Sequence, residues 1–454
     1  SNRRDIWYGN DMAGVGRLRS EWNQCLLEEV VAGAYTQLLH QAASQLGSGA
    51  EYYRLWPTTI PPDPWGILVR ALYATLGSCA VLHTRANGGR WISPKEGVFV
   101  DPSRPLDPKL QAALEADNVA LIDGLPSTIC KMFLELCPDM IQMLTPNFVR
   151  DWLRKPGPHP AVVQRQQALQ LLEYCMEDII DDDIDSVTQL VGLPLLPLGD
   201  GSLARFARKN VADLIQSVYV VDELEGQLLQ SQAHLLVDNS IDKELYKRLT
   251  AIAIKHTEAL NMGPVTDKVL AGLVGHMLPA EWRGKAEVVW SPGAPVATNC
   301  HKPSPDSAPV PTQPSREWMC QLWQRLKLCE SLRPIAKWTL LPAADGHLCA
   351  LVSSPNRPPR VIRGAGQWSE KLSAVMDALG CRVLDDTLGV DHPSLAHYVN
   401  EATGEGLLRT ILGAATSEHS ISEALGQCTD AERRELRGYL LQSKWFSGGD
   451  GDTG

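Results

Sequence analysis

The sequence predicts an α+β fold dominated by helices, with long amphipathic helices separated by short β-hairpins. Three observations carry this. An apolar residue recurs every four positions from Trp22 to Leu46. A helix-start signal, a capping side chain followed by proline, is used three times. The phrase Leu-Leu-Pro-x-x-Asp-Gly-x-Leu occurs twice and predicts a tight hairpin each time. Helices alternating with hairpins, rather than regular strand–helix–strand units, argue against a doubly wound sheet.

Taken in order, Trp22, Leu26, Val30, Ala34, Leu38, Ala42 and Leu46 form the stripe of the first helix, with Ser20 as its cap and Gly47 as its end. Asp63-Pro64, Asp107-Pro108 and Thr145-Pro146 each start a further helix. Between the first two of these, Arg90-Trp91-Ile92-Ser93-Pro94 and Gly97-Val98-Phe99-Val100-Asp101 read as two short strands around a turn. A helix spans 161 to 180. Leu195–Leu203 and Leu340–Leu348 are the two hairpins, and their prolines suit a strand end or a sheet edge. Helices over Trp318–Leu332 and Trp368–Leu379, a strand over Cys381–Leu384 and closing helices complete the chain.

Seven prolines, with Ser, Thr and Ala between them, fall between Trp290 and Ser315. Such a stretch forms no packed core. It divides the chain into a region 1–290, a linker or loop 291–315, an α+β subdomain 316–446 and a flexible tail 447–454 rich in Gly and Asp.

Of the 454 residues, 44% are apolar and 21% charged, an ordinary globular balance with length for a sizeable core. Trp is common at 13 against 5 Phe, which fits buried structural tryptophan. The net charge of −11 and the lack of a basic run argue against nucleic-acid binding. No apolar run reaches the ~18 residues of a membrane span, and no signal peptide is visible after Ser1-Asn2-Arg3-Arg4-Asp5. The 11 cysteines are scattered with no Cys-x-x-Cys, as expected in a reducing compartment.

Few residues suggest chemistry, and each has a plainer explanation. Glu177-Asp178, Asp181-Asp182-Asp183 and Asp185 could hold a divalent cation, but lack the calcium-loop glycine and read better as a solvated helix end. The Asp-Gly loops could cradle phosphate, yet one Gly per loop and no following Lys-Ser/Thr cannot build a Walker loop. Cys300-His301 with Cys320 and Cys329 has the wrong spacing for structural zinc. Asp391-His392 with His397 reads as a turn that starts a helix rather than a dyad. Asp11-Met12-Ala13-Gly14-Val15-Gly16 is a Gly-containing turn before the first helix; a lone glycine motif is a weak nucleotide signal. No hydrolase elbow occurs, and no segment concentrates acid, base and nucleophile.

The opening Asn2-Arg3-Arg4-Asp5-Ile6-Trp7 with Ser20-Glu21-Trp22-Asn23, both Leu-Leu-Pro-x-x-Asp-Gly phrases, Leu278–Lys285, Ser315–Met319, and Glu435-Leu436-Arg437 with Lys444-Trp445-Phe446 resemble, in this order, the internal repeats of sacsin-like proteins of plants and algae. The resemblance implies a region that comes after a heat-shock-protein-90-like ATPase domain in a longer polypeptide. It implies a non-catalytic part of a chaperone repeat, cytoplasmic, in contact with that ATPase domain and with client proteins or co-chaperones. ATP and magnesium would belong to the longer protein and no cofactor to this stretch. In the related chaperones an arginine from the domain after the ATPase reaches the terminal phosphate, which implies a nucleotide or ATPase-domain contact for Arg3 or Arg4; the plain alternative is an inter-domain salt bridge. An interaction scaffold without a chaperone cycle, and an unrecognised hydrolase, are the competing functions.

Overall fold

The computed structural model describes residues 14–101, 103–104, 106–157, 159, 164–209, 217–293, 313–351, 358–364, 368–415 and 417–441. The chain divides into two compact units, 1–218 with 240–263, and 219–239 with 264–454. Both are helix-dominated α+β, as expected.

The first unit opens with one long helix: α-helical over Gly14–Cys25, π-helical over Leu26–Val31 and α-helical again over Ala32–Leu46. Ser20 lies inside it and is not its cap. Gly47, at φ +67°, ends it as expected, in a conformation that side chains resist. The predicted stripe does not form the core face. Leu27, Ala32, Thr36, Leu39 and Ala43 are buried, whereas Trp22, Val30, Leu38 and Leu46 are exposed. Residues four apart advance about 40° beyond a full turn, so a strict spacing of four sweeps around the helix instead of staying on one side.

Its buried side packs on the helix Trp65–Leu76. Beneath lies an aromatic core in which Tyr73 and Phe133 sit 4.9 Å apart, Phe99 and Phe133 5.4 Å, and Trp56 contacts Tyr73 and Phe133 at 6.1 and 6.0 Å. Asp107 and Thr145 cap their helices, accepting from the amides of Lys109 (2.7 Å) and Phe148 (3.1 Å). Asp63 does not. The Asp63-Pro64 bond is cis, the helix starts at Trp65, and the Asp63 carboxylate pairs with Arg70 at 2.8 Å.

The two strands expected around one turn exist but do not pair with each other. Arg90–Ile92 is antiparallel to Leu82–Thr84, and Val98–Phe99 is parallel to Gln142–Met143. The first Asp-Gly hairpin joins Leu196–Pro197 to Leu203–Ala204, with Gly201 at φ +91°. Asp200 Oδ1 accepts from the Ser202 amide at 2.9 Å and closes the turn.

In the second unit the other hairpin, Thr339–Pro342 with His347–Ala350, turns at Gly346 (φ +83°) and gains Glu287–Val289 as a third strand. Trp282 and Trp290 therefore share a core with Trp323, Trp338 and Leu340. The segment 264–290 packs with residues beyond the proline-rich stretch, so the division of the chain does not fall at that stretch. Residues 294–312 of the expected linker and the tail 447–454 lie outside the described residues.

The last part of this unit differs most from expectation. Val361–Arg363 lies between Arg382–Val383 and Asn400–Glu401, parallel to both. The helix Glu370–Ala378 makes the crossover between the first two. Ile362, Leu372, Val375, Met376, Leu407 and Ile411 form a separate small core. Strands of two or three residues leave no readable alternation, so no sequence pattern announces this parallel unit. Gly406 is essential to it: a Cβ there would come within 2.0 Å of Glu401 O.

Candidate functional site

Arg3, Arg4 and Asp11 lie outside the described residues. So do Cys300 and His301. Gly14 and Gly16 belong to the first turns of the long helix rather than to a separate loop.

The acidic run is largely exposed, as a solvated helix end is, and four of its carboxylates are engaged by cationic side chains. Asp178 receives both Nη atoms of Arg150, at 2.5 and 3.1 Å. Arg150 is 1% exposed and also donates to Cys175 O (2.7 Å) and Gln189 Oε1 (2.6 Å). Asp181 receives Nε and Nη2 of Arg248 at 3.1 and 2.8 Å, and Arg248 donates further to Met176 O and Ile179 O, each at 2.9 Å. Asp182 pairs with Lys255, Glu177 with Arg104, and Asp183 caps the helix Ile184–Thr188. The helices Pro146–Arg154 and Lys243–Lys255 thus clamp a connecting segment through its carboxylates. Nothing in the sequence spacing links these partners, which lie far apart along the chain.

Among the described residues no group of three or more His, Cys, Asp or Glu is placed to hold a metal ion. Cys329 is buried, its thiol pushed up to about 12 chiefly by burial. His392 is buried in a turn: Nδ1 accepts from the Ser394 amide at 2.9 Å, which leaves the proton on Nε2, 3.0 Å from Cys329 O. Asp391 pairs with Lys327 at 2.8 Å instead. Both ring nitrogens are committed, so the Asp391-His392 pair is structural.

A cavity of about 350 Å³ opens in the first unit between the starts of the helices Pro108–Ala116 and Pro146–Arg154. Its charged lining is net acidic: Arg104 pairs with Glu177 at 2.5 Å, and Asp101 and Asp107 are left as excess negative charge. Tyr174, also in its wall, is held protonated by burial, its pKa pushed up to about 12. The caps Asp107 and Thr145 are occupied by their own helices.

The surface is more telling. From Arg17 to Leu26 no residue of the long helix is buried, yet Leu18 is 67% and Trp22 65% exposed. Further along, Val30, Val31, Leu38 and Leu46 are exposed as well. Local supports include the surface contacts Arg17–Glu21 (2.7 Å) and Gln24–Glu28 (2.8 Å). A short helical stretch without a core contact is marginal in water, and exposed apolar patches mark contact sites. Sequence reasoning finds the helix but assigns Trp22 to the core; the excess of apolar residues over what one buried side needs is the available signal.

No helix among the described residues is long and apolar enough to cross a membrane. No family model and no solved structure matches the sequence. The chain is similar to human sacsin, with 23% identity over 424 aligned residues. The alignment covers 86% of this chain and 8% of the length of human sacsin. The resemblance carried by the opening block and the repeated hairpin phrases is therefore matched by similarity along most of the chain, and the chain is sacsin-like.

Proposed function

We propose that this chain is the non-catalytic part of a sacsin-like chaperone repeat. In this reading it packs against a heat-shock-protein-90-like ATPase domain and offers protein-contact surface to clients or co-chaperones in the cytoplasm. It carries no cofactor of its own; ATP and magnesium act on the ATPase domain. The observation that carries the proposal is the exposure of Leu18 and Trp22, one turn apart at the head of the long helix. Tryptophan is a favoured anchor of protein interfaces, and each large side chain buried there contributes about 1.5–3 kcal/mol. Human sacsin is much longer than the matched stretch, so such a partner can be part of the same polypeptide. In this arrangement Arg3 or Arg4 contacts the nucleotide or the ATPase domain.

The test is the affinity between this chain and the heat-shock-protein-90-like domain of a sacsin-like protein. Leu18→Ser with Trp22→Ser should weaken it by at least about tenfold, or 1.4 kcal/mol. Equal affinity would overturn the proposal. Replacing Arg3 and Arg4 by Ala in a polypeptide carrying both parts should slow ATP hydrolysis; an unchanged rate rejects their role.

A further inference from the structure

We infer that a cavity of about 340 Å³ in the second unit binds a phosphate monoester group, through Arg333, His397 and the Tyr398 hydroxyl. Ala336 and Leu351 complete its wall. Two one-turn helices bring the polar residues together: Arg333 begins Arg333–Ile335, and His397 ends Leu395–His397. The chain between them is long, so the fold, not local sequence, makes the cluster.

Tyr398 is 8% exposed and packs into the main core of the unit, which fixes the ring in the cavity wall. Its amide is held by Leu395 O at 2.8 Å. Among the described residues, its hydroxyl has no hydrogen-bond partner, and neither the Arg333 guanidinium nor the His397 ring has an ion-pair or hydrogen-bond partner. Several arginines of the unit are engaged, Arg316 with Asp385, Arg325 with Glu225, and Arg360 and Arg382 with Glu287, whereas Arg333 and His397 are exposed to solvent. In a chain of net charge −11, a cavity whose lining holds a guanidinium and no carboxylate is a local reversal of sign.

The donor set selects the ligand. A guanidinium binds two oxygens of a phosphate side by side. The imidazole N–H and the phenolic O–H supply a further donor each, which suits the third non-ester oxygen. A carboxylate would be satisfied by the guanidinium alone and leave donors over. Ala336 and Leu351 then face the ester side. The same group occurs on a free small molecule and on a phosphorylated side chain, so the chemistry is assigned to the phosphate ester and the source to the experiment.

The full chain is titrated calorimetrically with phenyl phosphate, O-phosphoserine and adenosine monophosphate, with acetate at equal ionic strength as the control. Saturable binding of at least one ester is expected, with acetate failing to compete. Arg333→Gln should weaken it about tenfold or more, as for loss of a charge-assisted bidentate contact. Tyr398→Phe keeps the ring in the core and should weaken it several-fold with the fold unchanged by circular dichroism. Arg333→Lys keeps the charge but loses the fork and should fall between wild type and Arg333→Gln. Tighter binding of adenosine monophosphate than of O-phosphoserine points to a free ester, and the reverse to a phosphorylated side chain. No saturable binding up to about 10 mM, or binding equal in Arg333→Gln and Tyr398→Phe to that of the wild type, overturns the inference.

Discussion

Arg150 and Asp178 make one ion pair whose two halves sit in different surroundings, and this predicts an order of effects. The Arg150 side chain is 1% exposed and that of Asp178 is 44% exposed. Arg150→Met keeps most of the volume and removes the buried charge. It leaves a carboxylate that water can reach, plus Cys175 O and Gln189 Oε1 without their donor. With lost hydrogen bonds at about 1 kcal/mol each and Asp178 solvated, the cost is about 2–3 kcal/mol. Asp178→Ala leaves the guanidinium buried with neutral acceptors only, and removing one partner of a buried pair in this way costs about 3–5 kcal/mol. Truncating the more exposed residue should therefore do more damage. The assay is peptide-resolved hydrogen exchange over Pro146–Arg154 and Ile184–Thr188, which reads the segments around the pair directly. Faster exchange in Asp178→Ala than in Arg150→Met supports the reasoning. The reverse order would show that packing around the Arg150 stem, not the uncompensated charge, sets the energy.

Three further outcomes are expected. Gly406→Ala should cost about 3 kcal/mol or more and loosen the small parallel sheet, because the added methyl meets backbone at 2.0 Å; urea unfolding of the variant checks this. Leu39→Ala, at a fully buried position, should cost about 2–5 kcal/mol, whereas Trp22→Ser should change stability by no more than about 0.5 kcal/mol; the same unfolding experiment separates a core helix side from a contact side. Burial pushes the thiols of Cys175, Cys349 and Cys381 up to about 12 from 9.0. The folded chain then holds protons that the unfolded chain releases, so their contribution is complete below about pH 9 and is lost between there and pH 12, by about 1.4 kcal/mol per thiol per pH unit. Denaturant midpoints measured across that range should fall, and alanine at these positions should flatten the fall.

What can be read from the sequence is what neighbours along the chain decide. Asp107 and Thr145 cap their helices because the acceptor and amide lie within one turn. Both Asp-Gly phrases make hairpins because a glycine at positive φ closes them locally. Asp63-Pro64 fails as a start signal, because the Asp63 carboxylate turns to Arg70 instead. The first helix is recognisable but is turned the wrong way, since exposed Trp22 and Leu38 are as apolar as buried Leu27 and Leu39. The Arg150, Arg248 and Lys255 clamps, the parallel strands at Val361, Arg382 and Asn400, and the cavity at Arg333 and His397 all join distant residues, and no pattern of period two or 3.6 encodes such meetings.

The most direct measurement of the proposed role is amide hydrogen exchange over residues 17–31, in this chain alone and with a heat-shock-protein-90-like ATPase domain joined ahead of it. Alone, the stretch from Arg17 to Leu26 should exchange quickly, since no core holds it. Joined, it should slow by about tenfold or more as Leu18 and Trp22 are covered. Equal exchange in the two would contradict the assignment of this helix as the contact surface.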